Sequence, residues 1–323
     1  MVGRVEGVAI IETKGLLVAV LGPTASGKST LALAAAEILD GEIVNCDSMQ
    51  MYRQLEIGTA KPTSEQRKRI PHHLYDLIDL DEYFGAGRYM EDARKVCKEI
   101  AAREKVVFVV GGTGLYLRAL LDGIFEGPGR SEELRERLER IGQRRGFTYL
   151  HHWLEKKDPE AAHRLHPKDQ IRIIRALEIC LLTGLPSTQL QDKKEAFQDL
   201  SILKIGLNLA RDTLYGRIDR RVDTMMNSGL VEEVKQLLDR GYNPDCKGFE
   251  ALGYRQTVDN LRGALDRDEA IAKIQIATRR YAKRQMTWFR QEKNVLWITG
   301  PGEDPDALDQ LIDIVQKHRD VGI

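Results

Sequence analysis

Gly22-Pro23-Thr24-Ala25-Ser26-Gly27-Lys28-Ser29 matches the pattern G-x-x-x-x-G-K-[ST] at every position. Leu16 to Leu21 (LLVAVL), just before it, is a continuous apolar run and predicts a buried strand. Thr30 to Leu39 (TLALAAAEIL), just after it, predicts a helix. A strand, a glycine-rich turn and a helix N-terminus in that order make a phosphate cradle. Backbone N–H groups point at the anion, and the helix dipole favours negative charge there. Residues Gly22 to Ser29 are therefore expected to bind phosphate. Lys28 would lie near the outer oxygens and the Ser29 hydroxyl where Mg²⁺ binds. By motif the default ligand is a nucleotide such as ATP, and the rest of the chain argues against that default.

Two more strands follow. Glu42 to Asp47 (EIVNCD) comes after the first helix. Lys105 to Val110 (KVVFVV) is a β-branched and aromatic run of the kind buried in parallel sheets. Residues 87–103 between them have helical character. Strand–helix alternation over 15–120 predicts an α/β unit with a parallel sheet, whose ligands sit beyond the C-terminal strand ends. Gly22, Asp47 and Gly111 fall at such ends and should converge. The alternation stops at Phe125-Glu126-Gly127-Pro128-Gly129. From Ser131 to Thr183 the pattern is helical throughout, with a break at 163–167. Strand character returns over 200–209, long helices follow, and Val295 to Ile298 closes the pattern. The expected fold is α/β: a P-loop NTPase-like parallel sheet flanked by helices, with an all-helical insertion domain. Residues 1–128 and 200–323 make the core and 129–199 the insertion.

With 323 residues the chain can hold a core and a large insertion. Its 42% hydrophobic and 30% charged content describes a soluble globular protein. No apolar run is long enough to span a membrane. Val8 to Ile11 is short and is followed by Glu12 and Lys14, a poor signal peptide, so a cytoplasmic location is expected. Four cysteines without metal-ligand spacing read as reduced thiols. The net charge is zero, but Arg67-Lys68-Arg69, Arg172/Arg175, Arg217/Arg220/Arg221 and Arg279-Arg280 with Lys283-Arg284 are basic clusters, and local clusters set the field a polyanion meets.

Several residues carry candidate chemistry. Asp47, at a strand end beside the phosphate loop, suits a Mg²⁺ ligand or a proton acceptor, and equally a turn-forming carboxylate. Where an ATPase of this fold ends a strand with an acid, this chain has Gly111-Gly112-Thr113-Gly114. That weakens ATP hydrolysis and leaves a pocket for a diphosphate with a hydroxyl donor at Thr113, or simply a tight turn. Arg217 and Arg221 share a helix face and suit bidentate phosphate contacts, or form a solvated surface. Arg279 to Arg290 interleaves five cations with three aromatics. That suits RNA, or a helix with buried rings and snorkelling cations.

These segments together resemble one family, tRNA dimethylallyltransferase, also called tRNA isopentenyltransferase. The resemblance rests on the phosphate loop, Asp47 to Gln50 (DSMQ), Ile57 to Pro62 (IGTAKP), Gly111 to Thr113 before Tyr116, and Asp169, Arg172 and Arg175 to Glu178. It continues through Arg217 to Arg221 (RIDRR), Gly229 to Val234, Gly253 to Gln256 (GYRQ) and Ala282 to Trp288. Met51, Gln54 and Glu56 replace residues often seen as Val, Gly and Asp. The family moves a dimethylallyl group from its diphosphate to N6 of adenosine 37, beside the tRNA anticodon. The resemblance implies Asp47 as general base, Thr113 and Arg221 as catalytic groups on the diphosphate, and Mg²⁺ at Ser29. It implies tRNA contacts at Asp47, Ser48, Met49 and Gln50, at Arg135, at Ile171, Arg172, Ile173, Ile174 and Arg175, and at Phe249, Gly253, Tyr254, Arg255 and Gln256. The expected partners are the anticodon stem-loop and dimethylallyl diphosphate, with no obligate protein partner. A nucleoside or metabolite kinase shares the loop and Mg²⁺ but needs no RNA. A prenyltransferase of free adenine nucleotides would not need the insertion. An RNA-binding module would not need Lys28 and Asp47.

Overall fold

The computed structural model describes residues 15–125, 127–190 and 194–321. The 8–11 stretch considered as a leader lies outside them. In chain order the elements are β1 (Leu16–Leu21), α1 (Lys28–Ile38), β2 (Gly41–Asn45), α2 (Ser64–Arg69), β3 (His72–His73), α3 (Ala86–Ala101), β4 (Val106–Val110) and α4 (Gly114–Asp122). Then come α5 (Glu132–Arg145), α6 (Phe147–Lys157), α7 (Pro159–Arg164), α8 (Gln170–Thr183), α9 (Ser187–Leu190) and β5 (Ser201–Asn208). The chain continues through α10 (Arg211–Asn227), α11 (Leu230–Asp239), α12 (Tyr254–Leu261), α13 (Arg267–Phe289), β6 (Val295–Thr299) and α14 (Pro305–Val321). They form two compact units. One contains the described residues up to Leu120 and those from Phe197 onward; the other is Leu121–Ala196.

The first unit is built on a six-stranded sheet in the order β3-β2-β4-β1-β5-β6. Every pairing is parallel. The expected strands appear. The addition is β3, a two-residue edge strand whose His-His pair carries no apolar run to announce it. Every residue of β1 and β4 is buried, as a strand covered on both faces requires. On one face Val18, Val20, Phe108 and Ile205 pack with Leu31, Ala32 and Ala35 of α1 and Leu311 and Val315 of α14. The small alanines of α1 let that helix lie close to the sheet, and so fix where its N-terminus sits.

The second unit is helical. Its core joins Leu138 of α5, Leu150 and Leu154 of α6, Ala161 and Ala162 of α7, and Ile173, Ile174 and Leu177 of α8. Two buried carboxylates tie it together. Asp158 caps α7 through Ala161 N at 3.0 Å and also accepts from Ser187 Oγ at 2.7 Å and Thr188 N at 3.0 Å, which anchors α9. Glu178 accepts from Ser131 N at 2.8 Å, Arg135 Nη2 at 2.7 Å and Arg175 Nη1 at 2.6 Å, which locks α5 to α8. Burial alone would raise both pKa values. The hydrogen bonds outweigh it and hold both carboxyls below the usual range.

Candidate active site

The phosphate loop turns sharply between β1 and α1. Gly22 has φ 148°, Ala25 φ 64° and Gly27 φ 91°, all in the region that favours glycine. Gly27 leads into α1, and its carbonyl already accepts from Leu31 N at 3.0 Å, which leaves the first N–H groups of the helix facing outward. Lys28 folds back over the loop and donates to Pro23 O at 2.8 Å. Ser26 is fully buried, and its hydroxyl has no hydrogen-bond partner among the described residues. The Ser29 and Thr30 side chains face a cavity of ≈ 430 Å³ shared with Lys28, Asp47, Gln50, Arg217 and Arg221.

Asp47 follows β2. Its backbone N–H donates to Asn45 Oδ1 and its carboxylate accepts from Met49 N, both at 2.9 Å, so the side chain has a fixed direction. Burial raises its pKa above the ordinary aspartate value, against the Met49 N–H, the Lys28 ammonium and the Arg221 guanidinium. Burial and the nearby Arg221 charge lower Lys28 to about 8, with Asp47 opposing. Arg221 is itself lowered by burial. Two cations and one carboxylate thus sit together at the cavity with a surplus of positive charge, a condition for taking up an anion.

The glycines after β4 are required by close approach. A Cβ on Gly111 would lie 2.2 Å from the Cys46 carbonyl oxygen, and one on Gly112 would lie 2.0 Å from Gln285 Nε2. Thr113 is turned inward. Its hydroxyl accepts from Ser48 N at 3.0 Å and donates to Ser48 Oγ at 3.3 Å, so it braces the 47–50 turn. Gln285 in α13 was not singled out as a site residue by sequence reasoning, although it lies in the family string. It is buried, accepts from Thr24 N at 2.8 Å and donates to Gly112 O at 2.9 Å, so one amide ties the phosphate loop to the end of β4. A lone glutamine in a helix gives no local signal of such a role.

Arg217 departs from the phosphate-clamp expectation. It donates to Ala25 O at 2.7 Å and to both oxygens of Glu303 at 2.7 Å. It supports the loop, and only Arg221 of the pair remains without a carboxylate partner among the described residues.

The residues expected to touch tRNA divide by burial. Ser48, Met49 and Gln50 are half-exposed beside the cavity. Gln50 donates to Thr59 O at 3.0 Å and so holds the 57–62 segment. Ile171 is 78% exposed at the start of α8 and Arg172, paired with Asp169, has a side chain 74% exposed. Four of the expected residues are enclosed by packing. Ile173, Ile174, Phe249 and Tyr254 are buried at 0–5% exposure, so their side chains offer no surface to an RNA. Arg135 and Arg175 are both paired with Glu178. Gly253, with φ 94°, starts α12, and the Gln256 side chain accepts from its N–H at 3.1 Å. Arg255 is exposed and paired with Asp245. Tyr254 supports the site from behind: its hydroxyl donates to Glu233 and accepts from Gly58 N at 3.1 Å.

Ser29 and Asp47 offer oxygen donors beside the cavity, while both Glu303 oxygens are taken by Arg217. Among the described residues no group of three or more His, Cys, Asp or Glu side chains could hold a metal. That set fits Mg²⁺, which uses few protein ligands and takes the rest from phosphate and water. No described helix is long and apolar enough to cross a membrane. The cysteines are free thiols, three of them buried.

Residues 50–292 match the family model described as IPP transferase. The tRNA dimethylallyltransferase of Koribacter versatilis is 50% identical over 302 residues, 93% of this chain and 98% of that one. That of Geobacter metallireducens is 48% identical with the same coverage. The crystal structure of the tRNA isopentenylpyrophosphate transferase of Bacillus halodurans, 40% identical, matches with a TM-score of 0.71 over 96% of this chain and 98% of that one. A eukaryotic dimethylallyltransferase acting on tRNA, 26% identical, matches with a TM-score of 0.81 over 94% of this chain and 79% of the other. A phosphate loop whose neighbouring strand ends in glycine, and relatives matched over nearly their whole length, lead to one conclusion: the chain belongs to the tRNA dimethylallyltransferase family.

Proposed function

We propose that this protein transfers the dimethylallyl group of dimethylallyl diphosphate to N6 of adenosine 37 in tRNA, with release of diphosphate. The observation that carries the reading is the single cavity holding Asp47, Lys28, Arg221 and the phosphate loop. The loop N–H groups and Lys28 bind the diphosphate, and Arg221 faces the same anion. Asp47 accepts a proton from the amino nitrogen as that nitrogen forms its bond to the dimethylallyl carbon. The carbon–oxygen bond breaks and its electron pair leaves on the diphosphate. Stabilising that developing charge in a dry site is the largest catalytic task. The Ser29 hydroxyl would hold Mg²⁺, whose charge would add to the neutralisation of the leaving diphosphate. Thr113 acts by bracing the turn that carries Asp47. Ser48 to Gln50, Ile171, Arg172 and Arg255 face the RNA, and the helical segment 129–199 contacts its anticodon stem. The protein works in the cytoplasm.

The test supplies dimethylallyl diphosphate with tRNA, with AMP or with no acceptor, and follows diphosphate release. Release is expected with tRNA alone. Equal turnover with AMP would replace this reading by a free-nucleotide prenyltransferase, and phosphate transfer from ATP to a metabolite by a kinase.

A further inference from the structure

Three arginines of α10 line the transfer cavity: Arg217, Arg220 and Arg221. At about 3.6 residues per turn, positions i+3 and i+4 fall on either side of position i, so Arg220 and Arg221 flank Arg217. Their charges are used differently. Arg217 donates to both oxygens of Glu303. Arg221 is half-buried beside Lys28 and Asp47. Arg220 is exposed, and its side chain makes no hydrogen bond or ion pair among the described residues. The acid next to it in sequence is already held, since Asp219 pairs with Arg279. The direction of the Arg220 side chain is recorded by Gly216. A Cβ on Gly216 would lie 3.6 Å from Arg220 Nη1 and would meet nothing else within 4 Å. The side chain thus runs one turn back towards the helix N-terminus, the direction helical side chains favour, over a position with no side chain to fill the space.

The cavity needs that charge. Lys28 and Arg221 less Asp47 leave one positive charge inside it. Lys28, brought to about 8, holds its proton only in part near that pH. A diphosphate carries more negative charge than this, and gains more as it leaves the dimethylallyl carbon. An arginine suits the shortfall, because its guanidinium stays charged at any working pH and its planar fork matches two phosphate oxygens. Exposure alone would not single out Arg220. Arg211 is also exposed on α10, but it lies over the Tyr215 ring at 5.1 Å and does not line the cavity.

We propose that Arg220 binds the diphosphate of dimethylallyl diphosphate at the cavity rim, in the role that Arg217 cannot take while Glu303 holds it. The inference rests on the transfer reading of the cavity. Arg220 meets the substrate as it binds and the diphosphate as it leaves, so its loss is felt in binding of either.

The experiment is calorimetry with inorganic diphosphate, together with steady-state transfer kinetics, for wild type, Arg220→Ala, Arg220→Lys and Arg211→Ala. The Arg220 side chain is exposed and unbonded within the protein, so the fold is retained. Arg220→Ala should weaken diphosphate binding about tenfold, the scale of one charge-assisted contact. Its KM for dimethylallyl diphosphate should rise by a similar factor, with KM for tRNA unmoved. Lysine keeps the charge without the fork and should recover part of the loss. Arg211→Ala should bind diphosphate as wild type does. Unchanged diphosphate affinity in Arg220→Ala overturns the proposal, and a raised KM for tRNA in its place would make Arg220 an RNA contact. An equal loss in Arg211→Ala also overturns it, since the effect would then be the general field of the surface. Wild type that binds diphosphate but transfers nothing to tRNA defeats the proposed function alone, because calorimetry still decides Arg220.

Discussion

Lys28 is held where its charge is expensive. Burial and Arg221 bring its pKa to about 8, below the 10.5 of an exposed lysine. Between those values the folded protein sheds a proton that the unfolded chain keeps, so the folding penalty of this charge is full below pH 8 and is relieved as the pH rises above it. A bound diphosphate reverses the balance, because the anion favours the ammonium. Binding of dimethylallyl diphosphate should take up a proton at pH 9 and almost none at pH 7, and affinity should fall as pH rises through 8. Calorimetry in buffers of different ionisation enthalpy measures the uptake. Lys28→Arg, which stays charged, should abolish it; uptake unchanged in that variant would place the titrating group elsewhere. Asp47 is displaced in the other sense, its carboxyl raised by burial. The base must be ionised, so the acid limb of kcat should lie above the ordinary aspartate value of about 4. Asp47→Asn keeps an oxygen for Met49 N and removes the base, and kcat should drop by about 10²–10⁴. Turnover near wild type would remove Asp47 from the proton transfer.

At the scale of elements, α5 and α8 are joined by one acid. Glu178 is buried and holds Arg135, Arg175 and the Ser131 N–H. Glu178→Gln leaves two guanidinium groups without their charge partner and should cost about 3 kcal/mol, near the lower end for a broken buried pair. Chemical denaturation followed by circular dichroism reads that loss; a cost under about 0.5 kcal/mol would mean the cluster is not a tie. The Asp158 and Glu178 pKa values are lowered, so their stabilisation is complete above the unfolded carboxylate pKa values and fades as pH falls below about 4. The same elements mark where reading a sequence succeeds. β1 and β4 were legible because a strand buried on both faces is a continuous apolar run. β3 was not, having two histidines and no run at all. Arg135 and Arg175 look like surface from composition. What betrays them is a carboxylate three residues beyond Arg175, the spacing at which helix side chains meet.

For the whole molecule, the α/β core and its helical interruption were legible because the sequence period changes twice, near 125 and near 200. Lys28 and Asp47 were legible because strand ends converge in a parallel sheet, whereas Arg221, inside α10, stood out only as one of two arginines on a helix face and through the family resemblance. What stayed hidden is the bracing between distant segments. Gln285 joins Thr24 to Gly112 across 261 and 173 positions, and Tyr254 reaches Gly58 across 196. No local pattern encodes such a link. Packing also decided which residues of the 171–175 string point outward: Ile171 does and Ile173 does not.

The tight approach at Gly111 has a consequence for descent. Many nucleotide-hydrolysing relatives by fold place an acid near this strand end. Here the Cys46 carbonyl fills the space where even a methyl group would go, and it belongs to the backbone of the neighbouring chain segment, not to a side chain that could swing aside. No one-codon change at this position can introduce a carboxylate without displacing β2 and the Asp47 turn with it. A single substitution at Gly111 therefore cannot place a carboxylate there with the present backbone. An engineer wanting that activity would have to rebuild two strand ends together.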